Sequence, residues 1–367
     1  MMLAKMRETL YRFALGFAVV AVMASAAPAL SESVSIEQLR KVVAELHRKN
    51  DKDAAQQLAN LELTQRLSSR DAAELMLELP GLRAREVLTG IVDVASFLNP
   101  PESALVSRPP ADTVEQKAIL DRTWANVAAA VHQYPDFFAT RTSRRLESLT
   151  YPLDRKDALV ARSNFRTVAD FTGQIFYREG GEVFQQQPAN GRGRRPASYD
   201  ASSLGLFGPI LRTVIRDVQK GRVEWLRWER GEDGDAAVFR YAVPLDESHY
   251  FIRYCCTEIY EITPPYHGEI AVDPASGAIL RLTLETELNP ADGMFRNSVM
   301  AEYGPENIGG TRYICLKKSV TIMSAAVPQG NAFQQPRKPG PPSNITALID
   351  DTFSDYHLFR SEMRIVK

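Results

Sequence analysis

The chain has 367 residues, 44% hydrophobic and 24% charged, with a formal net charge of −1. That length suits two cores better than one, and the composition is that of a soluble globular protein. The near-neutral balance lacks the concentrated basic excess of a nucleic-acid binder, so no nucleic acid is expected as a partner.

Residues 1–26 read as a signal peptide. Lys5, Arg7 and Arg12 form a positive n-region, 13–23 is an apolar run, and Ala24-Ser25-Ala26 or Ala27-Pro28-Ala29 supplies the small residues of a cleavage site. The run is shorter than the ~20 residues of a spanning helix, so the mature protein is expected to have no transmembrane helix and to be periplasmic or secreted. N-terminal sequencing of the exported form should then begin at or just after Ala27 or Leu30; an intact Met1 in a membrane fraction would contradict export.

Residues 34–98 carry four helical stripes. Ser35 precedes Ile36, Leu39, Val42, Val43 and Leu46, and Gln38 completes a capping-box spacing. Asp53 opens a second stripe with Ala54, Leu58 and Leu61. Ser69 precedes a third, with Ala72, Leu75, Met76 and Leu79, ended by Pro80-Gly81. Ala84, Val87, Leu88, Ile91, Ala95 and Leu98 form the fourth. Connections this short favour antiparallel neighbours and hence a small bundle. Residues 99–111 hold four prolines and read as a linker; 112–134 read as a connecting helix with Leu120, Trp124, Val127, Val131 and Tyr134 on one stripe.

From 135 to 367 the period changes from 3.6 to 2. Strands are expected at 137–149, 173–186, 222–243, 249–256, 266–274, 278–288, 295–303, 311–324 and 355–367, about ten once the internal turns are counted, mostly in antiparallel hairpins. A helix at 204–221, with Leu206, Ile210, Val214 and Val218 at helical spacing, is the natural cover for the sheet's apolar face. The glycine-rich basic stretch 187–200 and the proline-rich loop 327–345 read as surface loops. The expected fold class is therefore α+β: an N-terminal helical bundle, then a curved antiparallel sheet, an incomplete barrel, covered by a helix.

The chemistry-bearing residues form no constellation. There is no G-x-S-x-G elbow, H-E-x-x-H helix, P-loop lysine or G-x-G-x-x-G turn, and the five histidines are scattered. Cys255, Cys256 and Cys315 lack the spacing of a zinc site; one cross-strand disulfide and small buried side chains both remain open. Glu285 and Glu287 read as the solvated face of a strand, and Asp350-Asp351 as a turn before the last strand. No enzyme activity, catalytic residue, cofactor or metal is expected.

The stretches "PDFFATRTSRRLE", "HYFIRYCCTEI", "YHGEIAVDPASGAILRLTLE" and "YHLFRSEMRIVK" resemble a group of uncharacterised exported bacterial proteins. Asp273-Pro274-Ala275-Ser276-Gly277, followed by Leu280-Arg281-Leu282, is similar at fold level to the LolA and LolB superfamily of lipoprotein carriers. That resemblance implies an incomplete barrel whose apolar lining holds lipid chains. The chain departs from the carriers in its helical part, its proline-rich loop and its length, which leaves a hydrophobic-ligand or partner-binding role in better standing than lipoprotein transport.

Two functions follow for an exported, non-catalytic envelope protein. It holds a lipid or lipoprotein acyl chain on a concave face made by Leu280, Leu282, Leu284, Leu288, Ile314, Leu316, Val320, Ile322, Phe359 and Met363. Alternatively, the helical domain docks an envelope protein and the β-domain is a scaffold or sensor. Period-2 alternation is the same for a lined hollow and a filled core, so it does not choose between them.

Overall fold

The computed structural model describes residues 32–150, 165–178, 181–184, 209–231, 234–255, 259–289, 293–326 and 344–359. The signal-peptide region, the basic stretch 187–200, the first part of the helix expected at 204–221, nearly all of the proline-rich loop and Met363 lie outside them. Residues 32–367 belong to one compact unit.

The helical part contains α1 (Ile36–Leu46), α2 (Asp51–Leu58), α3 (Ser69–Glu78) and α4 (Leu82–Ala95). The Ser35 capping box forms as its spacing predicts, with Gln38 N donating to Ser35 Oγ at 3.2 Å and Ser35 N to Gln38 Oε1 at 2.7 Å. Gly81 gives α4 no side-chain cap. Asp51, at the start of α2, does that work by accepting from Arg83 N and Ala84 N at 3.1 and 2.9 Å, which ties two helices through one carboxylate. Leu61 lies not on a helix but in β2 (Leu61–Leu63), paired in parallel with β1 (Glu32–Val34).

The remaining elements are α5 (Thr113–Gln133), β3 (Phe137–Thr150), β4 (Arg166–Arg178), β5 (Gly181–Phe184), α6 (Pro209–Val218), β6 (Arg222–Arg230) and β7 (Asp235–Val243). They continue with β8 (Ile252–Cys255), β9 (Ile259–Ile262), β10 (Tyr266–Val272), β11 (Ile279–Thr286), β12 (Met294–Ile308), β13 (Thr311–Ala326) and β14 (Asn344–Leu358). Ten strands make one antiparallel sheet in the order β5-β4-β3-β14-β13-β12-β11-β10-β7-β6; β8 and β9 form a separate hairpin. The sheet is open, with β5 and β6 at its edges, so the fold is α+β and the barrel is not closed. At the β6 edge, Val106 N donates to Trp228 O at 3.4 Å, Trp228 Nε1 donates to Pro109 O at 2.9 Å, and the Arg108 guanidinium lies 4.1 Å from the centre of the Trp228 ring. Residues 105–109 thereby shield part of an edge strand.

The front face of the sheet and part of its back face are covered, where alternation suggests one apolar and one solvated face. On the front face, Ile119 and Val127 of α5 and Val214, Ile215 and Val218 of α6 join Phe137, Phe239, Tyr241 and Tyr266 in the main core. On the back face, Val94 and Phe97 pack against Leu146, Met300, Val320, Ile322 and Leu348. Arg281 and Thr283, which alternate in step with Glu285 and Glu287, are consequently buried at 9% and 5% exposure. Two aspartates also move. The last strand starts at 344 rather than 355, so Asp350-Asp351 lies inside β14 instead of in a turn, and both carboxylates have cationic partners.

The D-P-A-S-G turn does what its chemistry predicts. Asp273 accepts from Ala275 N and Ser276 N, both at 3.1 Å, and Gly277 adopts a φ of +74°. Its missing side chain also matters, since a Cβ there would come within 2.5 Å of the Arg122 backbone on α5.

Candidate functional site

The ten residues expected to share one concave face are divided among several environments. Leu282, Leu284 and Leu316 are in the main core at 3%, 1% and 1% exposure, with Leu288 packed beside it. Leu280 is on the other face, against Ala236, Val238 and Ala271. Val320 and Ile322 point to the back face, towards Val94 of α4. Ile314 is half-buried, Phe359 is 40% exposed, and Met363 is outside the described residues.

Two bulges cause the division. In the β10–β11 ladder Ala271 pairs with Arg281 and Val272 with Ile279, leaving Leu280 as the extra residue. In the β12–β13 ladder Glu302 pairs with Lys318 and Tyr303 with Leu316, leaving Lys317 extra. One inserted residue exchanges inward and outward positions for the rest of a strand.

What the bulges and the back-face cover create is a seam of buried charge between the helical part and the sheet. Asp93 of α4 is fully buried and accepts from Lys318 Nζ at 2.7 Å, while the same ammonium stands 3.5 Å from Asp350 Oδ1. Asp93 Oδ2 and Asp350 Oδ1 have no hydrogen-bond partner. Burial, then the negative charge of Asp350, pushes the Asp93 carboxyl up to about 7 despite Lys318; burial likewise raises Asp350. Burial alone would lower Lys318, but the two carboxylates outweigh it and hold the ammonium well above its usual range. Two carboxyls sharing one ammonium can retain a proton that an exposed pair would lose.

The seam continues through arginines. Arg66 reaches Glu229, which Arg227 contacts at 3.1 Å; Arg227 also reaches Glu269 at 2.8 Å. Burial, then the neighbouring Arg281 and Arg227, pulls Arg66 down to about 9. Arg281 donates to Ser96 O at the end of α4, and Ser69 Oγ to Glu302 Oε2 at 2.7 Å. With Asp93 fully buried at its centre, this seam holds charge and fixes the register of helix on sheet.

A second polar centre lies at the end of α6. Fully buried Asp217 accepts from His249 N at 2.8 Å, from His249 Nδ1 at 2.9 Å and from the Tyr266 hydroxyl at 3.0 Å. One carboxylate thus joins α6, the segment before β8 and the start of β10. The acceptor set holds the His249 ring in place without supplying a nucleophile, so it reads as a structural hub. Cys315 is buried and free, and burial pushes its thiol up to about 12, far from the range of a reactive thiolate.

Among the described residues, no group of three or more His, Cys, Asp or Glu side chains could hold a metal ion, and no helix is long and apolar enough to cross a membrane. Large apolar side chains do stand in solvent at one corner of the helical part: Leu77 is 79% exposed and Leu82 64%, on either side of Pro80-Gly81. Comparison with protein-family models, with curated proteins and with solved structures gave no match.

The seam residues escaped the sequence reading because charged residues on strands look like solvated faces. One signal was present: Asp93 interrupts the apolar run "GIVDVA", and a carboxylate inside such a run needs a buried partner.

Proposed function

We propose that this chain is an exported, non-catalytic protein of the cell envelope, whose helical part docks a protein partner and whose β-domain is the scaffold that presents it. The observation that carries the reading is the Leu77 and Leu82 corner, where two large leucines stand in solvent beside helical stripes that are buried or half-buried. Exposed apolar groups held on rigid helices are the kind of anchor that protein interfaces use. The ionic seam supports the same reading, since it fixes the helical part on the sheet.

A photo-crosslinking side chain at position 77 or 82 of the exported protein should give one defined adduct that the same group at the exposed Arg222 does not. The double variant Leu77→Ser, Leu82→Ser should lose that adduct at least tenfold with an unchanged melting temperature. Equal adducts from positions 77 and 222 would defeat the proposal.

The acyl-chain alternative needs free space beside Leu282, Leu284 and Leu316, and helices α5 and α6 pack there. A recess between β2 and α4, lined by Leu61, Ile91 and Leu98, has room for about one water. Leu282→Asn should therefore bury an unpaired amide and cost about 2–4 kcal/mol. A chemical melt together with a fatty-acyl probe titration distinguishes the readings: saturable wild-type probe binding that the variant loses at little cost in stability would restore the acyl carrier.

A further inference from the structure

The back face of the sheet extends beyond the cover of α4, and there β4, β3 and β14 present a surface built in rows. At its far end, Phe138 pairs across the ladders with Phe176 on one side and His357 on the other. Ring centroids are 6.3 Å apart for Phe138 and Phe176, 5.2 Å for Phe138 and His357, and 6.3 Å for Phe176 and the 40%-exposed Phe359. A bulge between Ser354 and His357, with Asp355 at a φ of 53°, brings His357 into this row.

The next rows are uncharged and polar. Thr140 pairs with Gln174 and Ser354, and Thr142 pairs with Thr172 and Thr352; all but half-buried Thr140 are exposed. A charged row closes the surface, with Arg144 Nε 3.2 Å from Asp170 Oδ1 and Asp350 on its other side. At ~3.4 Å per residue, the rows from Phe138 to Arg144 extend about 20 Å.

The chemistry of the surface selects its occupant. Its charges are of both signs and lie at its two ends, Arg144 with Asp170 and Asp350 at one and the exposed Arg178 with Asp136 beyond the aromatic row at the other, which does not suit a nucleic acid or an anionic bilayer. Its middle is hydroxyl and amide, which does not suit an acyl chain or the apolar face of a helix. Strands β3 and β14 are bonded on both edges and β4 is paired with β5 from Ile175 to Arg178, so an added peptide strand could pair only along the outer edge of β4 and would leave the β3 and β14 rows uncovered. An uncharged polyhydroxylated chain meets every row: sugar C–H faces lie on aromatic rings, while its hydroxyls reach Thr142, Thr172, Gln174 and Ser354.

We infer that this face is a binding platform for an uncharged glycan chain. It is separate from the Leu77 and Leu82 corner and stands whether or not that corner docks a protein.

The test is an NMR titration of the full mature chain with three soluble probes: the tetramers of β-1,4-linked N-acetylglucosamine, β-1,4-linked glucose and α-1,4-linked glucose. At least one should bind saturably and shift resonances of Phe138, Phe176 and Thr142. Phe138→Leu, which keeps apolar volume and removes the ring, should weaken binding at least tenfold, and so should Thr142→Glu on the exposed row, with melting temperatures close to wild type. Absence of saturable binding by all three, or binding unaffected by either variant, overturns the proposal. Concentration-dependent sedimentation abolished by Thr142→Glu, without glycan binding, also overturns it and reassigns the platform to a second copy of this chain.

Discussion

Lys318→Met is expected to destabilise the protein by about 3–5 kcal/mol at pH 8, the cost of breaking a buried ionic group by removing one partner, and by much less at pH 5. Lys318 is the cation that Asp93 and Asp350 share. Without it, both carboxyls must either ionise in a buried seam or take up protons on folding. The sign follows from Asp93. Its folded value is raised to about 7 from the ordinary 3.8, so its contribution to stability is fully present below 3.8 and is lost as pH rises through about 7. Removing the lysine deepens that loss and moves it upward, which makes the variant most damaged in alkali and partly rescued by acid. Wild-type Lys318, raised itself by the two carboxylates against burial, contributes stability present below 10.5 and lost only as pH climbs through its higher folded value. Urea melts of both proteins at pH 5 and pH 8 measure the difference; an equal cost at the two pH values would show that the carboxyls do not share a proton.

How much of this arrangement the chain discloses depends on which signal a residue carries. Caps and turns are local, so Ser35 with Gln38 and Asp273 with Gly277 read correctly, because each needs partners only three or four residues away. Strand pairing by hairpins is also local, whereas the β3–β14 ladder and the β7–β10 pairing that join them into one sheet are not. Which face each residue takes is not local. Leu280 and Lys317 show no mark of the bulges they occupy, yet those two insertions decide which face of the sheet the neighbouring side chains take. Helix α4 was legible as one stripe, but every residue from Leu88 to Ala95 is buried because it sits between other helices and the sheet. A stripe rule assumes a solvated side, and α4 has little of one in its second half. The candidate glycan platform was invisible for the converse reason: Thr140, Thr142, Thr172 and Thr352 look like any solvated strand face until the register sets them side by side with Phe138 and Phe176.

The second large effect is expected at Asp351, read from sequence as turn chemistry and found in the front of the sheet. It is fully buried, and Arg141 grips it with two bonds, Nε to Oδ1 at 3.0 Å and Nη2 to Oδ2 at 2.9 Å. Ser319 Oγ lies 3.5 Å from the same carboxylate. Parallel fork-to-carboxylate bonds are strong in a dry site, yet the pair as a whole has paid for its desolvation, so removing one member costs more than removing both. Asp351→Ala takes these two bonds from a guanidinium on a residue only 8% exposed, and should cost about 3–5 kcal/mol. The double variant Arg141→Met, Asp351→Leu replaces both charges with apolar groups and should recover most of that loss, since buried ion pairs exchanged for well-packed apolar side chains are often neutral. A double-mutant cycle from chemical melts gives the coupling directly. A double variant no more stable than Asp351→Ala would mean that the pair supplies net stability to strands β3 and β14, rather than only setting their register.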